Sequence, residues 1–171
     1  GAEEYFTEVL RLNPKYYQAY FQLGYLNTKL GDYELALVNY KKTVEMNPGY
    51  TKGWFALGLT YQRNGDYDSA INALDSAVGA DPTNVKALVQ KAKILMKQGD
   101  YKSAEGAYNQ AIQVDPSYGA AYADLGQIYV TQERWDDAIS ALSTATALDI
   151  RLYKAWFLLA QSQNVKGSCD D

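Results

Sequence analysis

Residues 51–84 read TKGWFALGLTYQRNGDYDSAINALDSAVGADPTN, and the landmarks of this stretch recur along the chain. Pro14, Pro48, Pro82 and Pro116 stand 34 residues apart, and Gly-Asp-Tyr returns with the same spacing at Gly31-Asp32-Tyr33, Gly65-Asp66-Tyr67 and Gly99-Asp100-Tyr101. A fourth copy is degenerate, Glu133-Arg134-Trp135. A fixed period of this kind marks a repeat architecture, in which each unit buries its apolar face only by stacking on its neighbours. Between each proline and the next glycine, large apolar residues fall three or four apart, as at Trp54, Leu57 and Tyr61, which is the spacing of one helical face. The glycine ends that helix. Asp32, Asp66 and Asp100 are placed to N-cap a second helix, which runs to an Asn-Pro or Asp-Pro turn. The unit is therefore helix, turn, helix.

Composition narrows the chemistry. Of 171 residues 47% are apolar, as in an ordinary folded protein, and 16 Lys+Arg against 20 Asp+Glu give a net charge of −4. That balance argues against general affinity for nucleic acid or an anionic membrane. There is no histidine, so Ser-His-Asp and Cys-His nucleophiles and imidazole metal sites are excluded. Cys169 is the single cysteine, which leaves no internal disulfide and no cysteine zinc cluster. No run approaches the ~18 apolar residues of a membrane span. The acid pairs Asp66/Asp68 and Asp136/Asp137 lie at helix starts, where capping explains them. We expect no enzyme, no cofactor and no metal, and a soluble protein for which a cytoplasmic setting is preferred.

The 34-residue pattern resembles the tetratricopeptide repeat (TPR) family. Counting residue 17 as position 1, the large residue of position 4 is Tyr20, Trp54, Leu88, Tyr122 and Trp156. Leu-Gly at positions 7 and 8 stands at Leu23-Gly24, Leu57-Gly58 and Leu125-Gly126, and the small residue of position 20 is Ala36, Ala70, Ala104 and Ala138. Lys91-Ala92, Asn27 and Ile150 depart from the pattern. The register sets full repeats at 17–50, 51–84, 85–118 and 119–152, preceded by the second helix of a truncated repeat (1–16). The first helix of a fifth follows (153–171), with Gly167 as its closing turn. The resemblance implies an all-α fold, a right-handed α-solenoid of antiparallel helix pairs with about ten helices. It also implies a fragment of a longer array. Trp156, Leu159 and Ala160 at one end and Ala2, Phe6 and Val9 at the other are expected to be exposed, complementary halves of one repeat that would allow head-to-tail self-association.

In proteins resembling this one, first helices line a concave groove through positions 2, 5, 9, 12 and 13. Here these include Phe21, Tyr25, Thr28, Lys29, Lys52, Phe55, Leu59, Arg63, Lys86, Val89, Lys93, Lys97, Gln127, Lys154 and Phe157. The five first helices hold nine Lys/Arg and one acid, Asp124, against seven Lys/Arg and nineteen acids elsewhere. A basic groove with aromatic walls suits an acidic peptide with apolar anchors. The carboxylate clamp that some relatives use for chaperone tails is not met, since its positions hold Phe21, Tyr25, Ala56, Lys86 and Gln90. The expectation is a non-catalytic interaction scaffold binding an acidic protein or peptide. The alternatives are a regulatory or targeting segment of a larger enzyme and, less favoured, an RNA-binding array, which the acidic exterior disfavours.

Overall fold

The computed structural model describes residues 1–169, which form ten α-helices and no strand. They are α1 (Ala2–Leu12), α2 (Tyr17–Leu30), α3 (Tyr33–Met46), α4 (Thr51–Arg63), α5 (Tyr67–Ala80), α6 (Val85–Gln98), α7 (Tyr101–Val114), α8 (Gly119–Thr131), α9 (Trp135–Leu148) and α10 (Tyr153–Cys169). The fold class is all-α, an α-solenoid type built of helix-turn-helix repeats. The chain divides into two compact units, Gly1–Ala87 and Leu88–Asp171, with α6 running through the boundary.

Three turns follow the sequence reading. Gly31 adopts φ 83°, where a Cβ would be strained, and Gly65 and Gly99 repeat the geometry. Asp32, Asp66 and Asp100 then accept the amides of Leu35, Ser69 and Ser103 at 3.0, 3.1 and 3.0 Å. The degenerate fourth turn is built differently. Glu133 sits at φ 58°, a left-handed conformation that costs a non-glycine residue about 1–2 kcal/mol, and Arg134 at the N-cap makes no side-chain cap. Its guanidinium instead bonds Glu105 and Asp137 at 2.9 and 2.8 Å and lies 4.2 Å over the Tyr129 ring. Tyr129 Oη also donates to Glu105 at 3.0 Å.

In the first unit the core between helix pairs is Ala36, Leu37, Tyr40, Val44, Leu57 and Ala73. Helices α2 and α3 touch closely at Gly24, where a Cβ would lie 2.8 Å from the Tyr40 ring. Asn27, which departs from the aromatic of its position, is buried and accepts the Asn39 side-chain amide at 3.0 Å. In the second unit Ala104, Tyr108, Ala111, Leu125, Ile128, Leu142 and Ala145 are buried. Ile150 replaces a proline without loss of its turn, because Asp149 accepts the Arg151 amide at 3.0 Å, as Asp81 and Asp115 do for Thr83 and Ser117.

Two expectations at the C-terminal end need correction. Gly167 does not close a turn, since α10 continues to Cys169. The glycines that do turn are each followed by a capping aspartate, whereas Ser168 follows Gly167, so no new helix start draws the chain away. Leu159 is also not exposed. It is 7% accessible on α10, which packs on α8 and α9, whereas Trp156, at 45%, and Ala160 are exposed as expected. Lys166 of α10 pairs with Asp136 of α9.

Candidate functional site

The first unit contains a cavity of about 820 Å³ lined from α2, α4 and the start of α6. Phe21, Tyr25, Thr28 and Lys29 come from α2, Lys52, Phe55, Leu59 and Arg63 from α4, and Lys86 from the first turn of α6. Helical periodicity explains the grouping, because positions 2, 5, 9, 12 and 13 share one face of a 3.6-residue helix. Phe21 is held by ring contacts with Tyr40 and Tyr50, at centroid distances of 5.6 and 5.3 Å. Lys29 Nζ lies 5.4 Å from the Tyr25 ring.

The charge here is one-sided. Among the described residues none of Lys29, Lys52, Arg63 and Lys86 pairs with a carboxylate of the chain. The one acid in the lining, Asp81, accepts the Thr83 amide and hydroxyl at 3.0 and 2.7 Å. Four cations around an apolar wall are arranged to attract an anion and to desolvate what it brings with it.

Sequence reasoning did not place Ala56, Thr60, Tyr40 and the 81–85 turn in this cavity. Tyr40 belongs by sequence to the packing positions of α3, and at 3% exposure it is a packing residue, yet it also lines the cavity, with its hydroxyl 3.5 Å from that of Thr28, another lining residue. Burial pushes its phenol above the ordinary range, opposed by the Thr28 hydroxyl and, more weakly, by the charge of Arg63. The signal that could have found it is the alternation of this position between Tyr40, Leu74, Tyr108 and Leu142, since a buried tyrosine needs a polar partner where a leucine does not.

The remaining predicted residues, Val89, Lys93, Lys97, Gln127, Lys154 and Phe157, lie in the second unit and differ in kind. Val89 is not a surface residue at all: it is 3% exposed, on a buried face of α6. Lys93 is not an open cation, because its Nζ lies 3.5 Å from Asp124 Oδ2, and Lys97 is also engaged. Gln127 is half-buried, while Lys154 and Phe157 are exposed, Phe157 at 70%. Among the described residues no group of three or more His, Cys, Asp or Glu could hold a metal ion, and no helix is long and apolar enough to cross a membrane.

Profiles of the tetratricopeptide repeat match residues 17–50, 55–120 and 95–151. The chain belongs to the tetratricopeptide repeat family. Solved structures of TPR proteins superpose on it over most of its length. A crystal structure of MamA protein is 25% identical, with a TM-score of 0.81 over 88% of this chain and 82% of its own. YrrB, described as a TPR protein with an unusual peptide-binding site, is 20% identical, with a TM-score of 0.78 over 95% of this chain and 84% of its own. The C-terminal part of a TPR repeat-containing protein from Cytophaga hutchinsonii is 17% identical, with a TM-score of 0.85 over 97% of this chain and 66% of its own. No curated protein sequence matches significantly.

Proposed function

We propose that this TPR chain is a non-catalytic interaction scaffold whose first unit binds an acidic peptide segment with aromatic or aliphatic anchors. The observation that carries the reading is the cavity between α2, α4 and the start of α6, where Phe21, Tyr25, Phe55 and Leu59 form an apolar wall beside four cations that have no carboxylate partner among the described residues. An anchor side chain buried against the wall supplies affinity, and carboxylates flanking it meet Lys29, Lys52, Arg63 and Lys86. The peptide-binding site in the description of YrrB is consistent with such use of the fold. The second unit contributes less to this ligand, because Lys93 already faces Asp124.

The test is fluorescence anisotropy with a dye-labelled peptide of alternating Asp and Phe. Binding is expected to weaken at least about tenfold when Lys52→Glu and Arg63→Glu are combined, each reversal converting an attraction of roughly 0.5–1 kcal/mol into a repulsion. It should also weaken as salt rises, because exposed charges are screened within ~10 Å at 0.1 M. Affinity indifferent to both changes would overturn the assignment.

A further inference from the structure

Tyr40 and Tyr108 are the eighth residues of α3 and α7 and stand at the same position of their repeats. Both are buried, at 3% and 0% exposure. Tyr108 Oη donates to Asp124 Oδ2 at 3.2 Å, and the same oxygen lies 3.5 Å from Lys93 Nζ. A carboxylate of the chain itself thus sits between a buried phenol and a cation. Asp124 is the sixth residue of α8, and the sixth residue of α4 is Ala56. Among the described residues no carboxylate hydrogen-bonds to the Tyr40 hydroxyl. Its hydrogen-bond partner among the described residues is the Thr28 hydroxyl at 3.5 Å, at the outer limit of a hydrogen bond, and Thr28 Oγ1 donates to the Gly24 carbonyl at 2.8 Å. Where Asp124 fills the space in the second unit, Ala56 leaves it to the cavity, with Arg63 on the same lining.

A phenol with a single hydrogen bond of 3.5 Å can still donate to a better acceptor that enters the cavity. We infer that a carboxylate of the ligand seats between the Tyr40 hydroxyl and the Arg63 guanidinium, in the place that Asp124 takes beside Tyr108 in the second unit. The phenol donates one hydrogen bond and the guanidinium supplies charge-assisted ones, while Phe21 and Phe55 cover the carbon chain that carries the carboxylate. This subsite rests on the reading of the cavity as a peptide site. It deepens that reading by fixing which acid is recognised: one placed within a side chain's length of the apolar anchor. It differs from the carboxylate clamp, whose positions hold none of these two residues.

The experiment titrates the full chain with 3-phenylpropanoate and with its uncharged isostere 3-phenylpropanamide, followed by amide NMR shifts. The carboxylate should bind about tenfold more tightly than the amide and move the resonances of Ala56 and Arg63. Tyr40→Phe keeps the ring and removes the donor. It should weaken the carboxylate about tenfold, the expected scale for a hydrogen bond to a charged group, and the amide by no more than about threefold. Ala56→Asp, which installs the residue of the second unit, should abolish carboxylate binding. Arg63→Gln, at an exposed position, gives the same loss independently of any effect of Tyr40→Phe on folding, which circular dichroism monitors. Equal carboxylate affinity in wild type, Tyr40→Phe and Arg63→Gln would overturn the subsite, while the acidic peptide could still bind with its charge-reversal dependence intact. Failure of both the peptide and the carboxylate to bind the wild type would overturn the subsite and the peptide reading together.

Discussion

The two units treat the same kinds of residue in opposite ways. In the second unit two cations are held within the chain: Lys93 and the Tyr108 hydroxyl share Asp124, and Arg134 bridges Glu105 and Asp137 over Tyr129. In the first, Lys29, Lys52, Arg63 and Lys86 surround a cavity without a carboxylate partner among the described residues, and the Tyr40 hydroxyl has a hydrogen bond of 3.5 Å to Thr28. A charge that is already paired gains little from a ligand, because its desolvation has been offset, whereas an unpaired one has its whole interaction to give. The difference teaches that two units of one repeat pattern can diverge in surface chemistry while sharing a fold, through as little as an aspartate or an alanine at one helical position.

The strongest way to break the contrast is to make the second unit resemble the first. Asp124→Ala removes the acceptor of a fully buried phenol and is expected to cost about 1–3 kcal/mol in urea unfolding. Added acetate should recover part of that loss by occupying the vacated place, and an unchanged midpoint would show that Tyr108 needs no internal acceptor. A smaller effect is expected at the fourth turn. Arg134→Ala should destabilise by roughly 1–2 kcal/mol, since it removes two charge-assisted bonds and the stacking on Tyr129. Glu133→Gly should return about 1 kcal/mol by relieving the left-handed backbone, which would make this turn behave like those at Gly31, Gly65 and Gly99.

The smallest effect is the most local. Tyr129 is pushed up to about 12, first by burial, then by its hydrogen bond to Glu105 and that residue's charge, with Arg134 opposing. The unfolded phenol loses its proton near 10 while the folded one keeps it, so the stabilisation is full below pH 10 and is lost as pH rises from about 10 to 12. Thermal unfolding should show this alkaline decline, and Tyr129→Phe should make it shallower, the rest coming from Tyr108 and Tyr40, whose phenols burial also raises. A decline of the same size in that variant would place the titration elsewhere.

Much of the candidate site was legible before any coordinates. Phe21, Tyr25, Lys29, Lys52, Phe55, Leu59, Arg63 and Lys86 line one cavity because a helix of 3.6 residues per turn brings fixed positions to one face, and that is a property of the local backbone. Val89 obeys the same spacing and is buried, because exposure depends on which neighbouring helices pack over a face. The Asn27 departure was visible as a break in the pattern, but its partner Asn39 was not, since only the packing of α2 on α3 brings the two amides together.

By itself, then, the sequence determined the repeat period, the helix pairs, the capped Gly-Asp turns and the concentration of cations on first helices, all of which follow from local propensity and periodicity. The tertiary structure alone decided which of those cations remain open. Lys93 and Lys52 are indistinguishable as residues in a basic first helix. One meets Asp124 from a different helix and the other faces a cavity, and electrostatic pairing is settled by distances between segments that the local pattern does not encode.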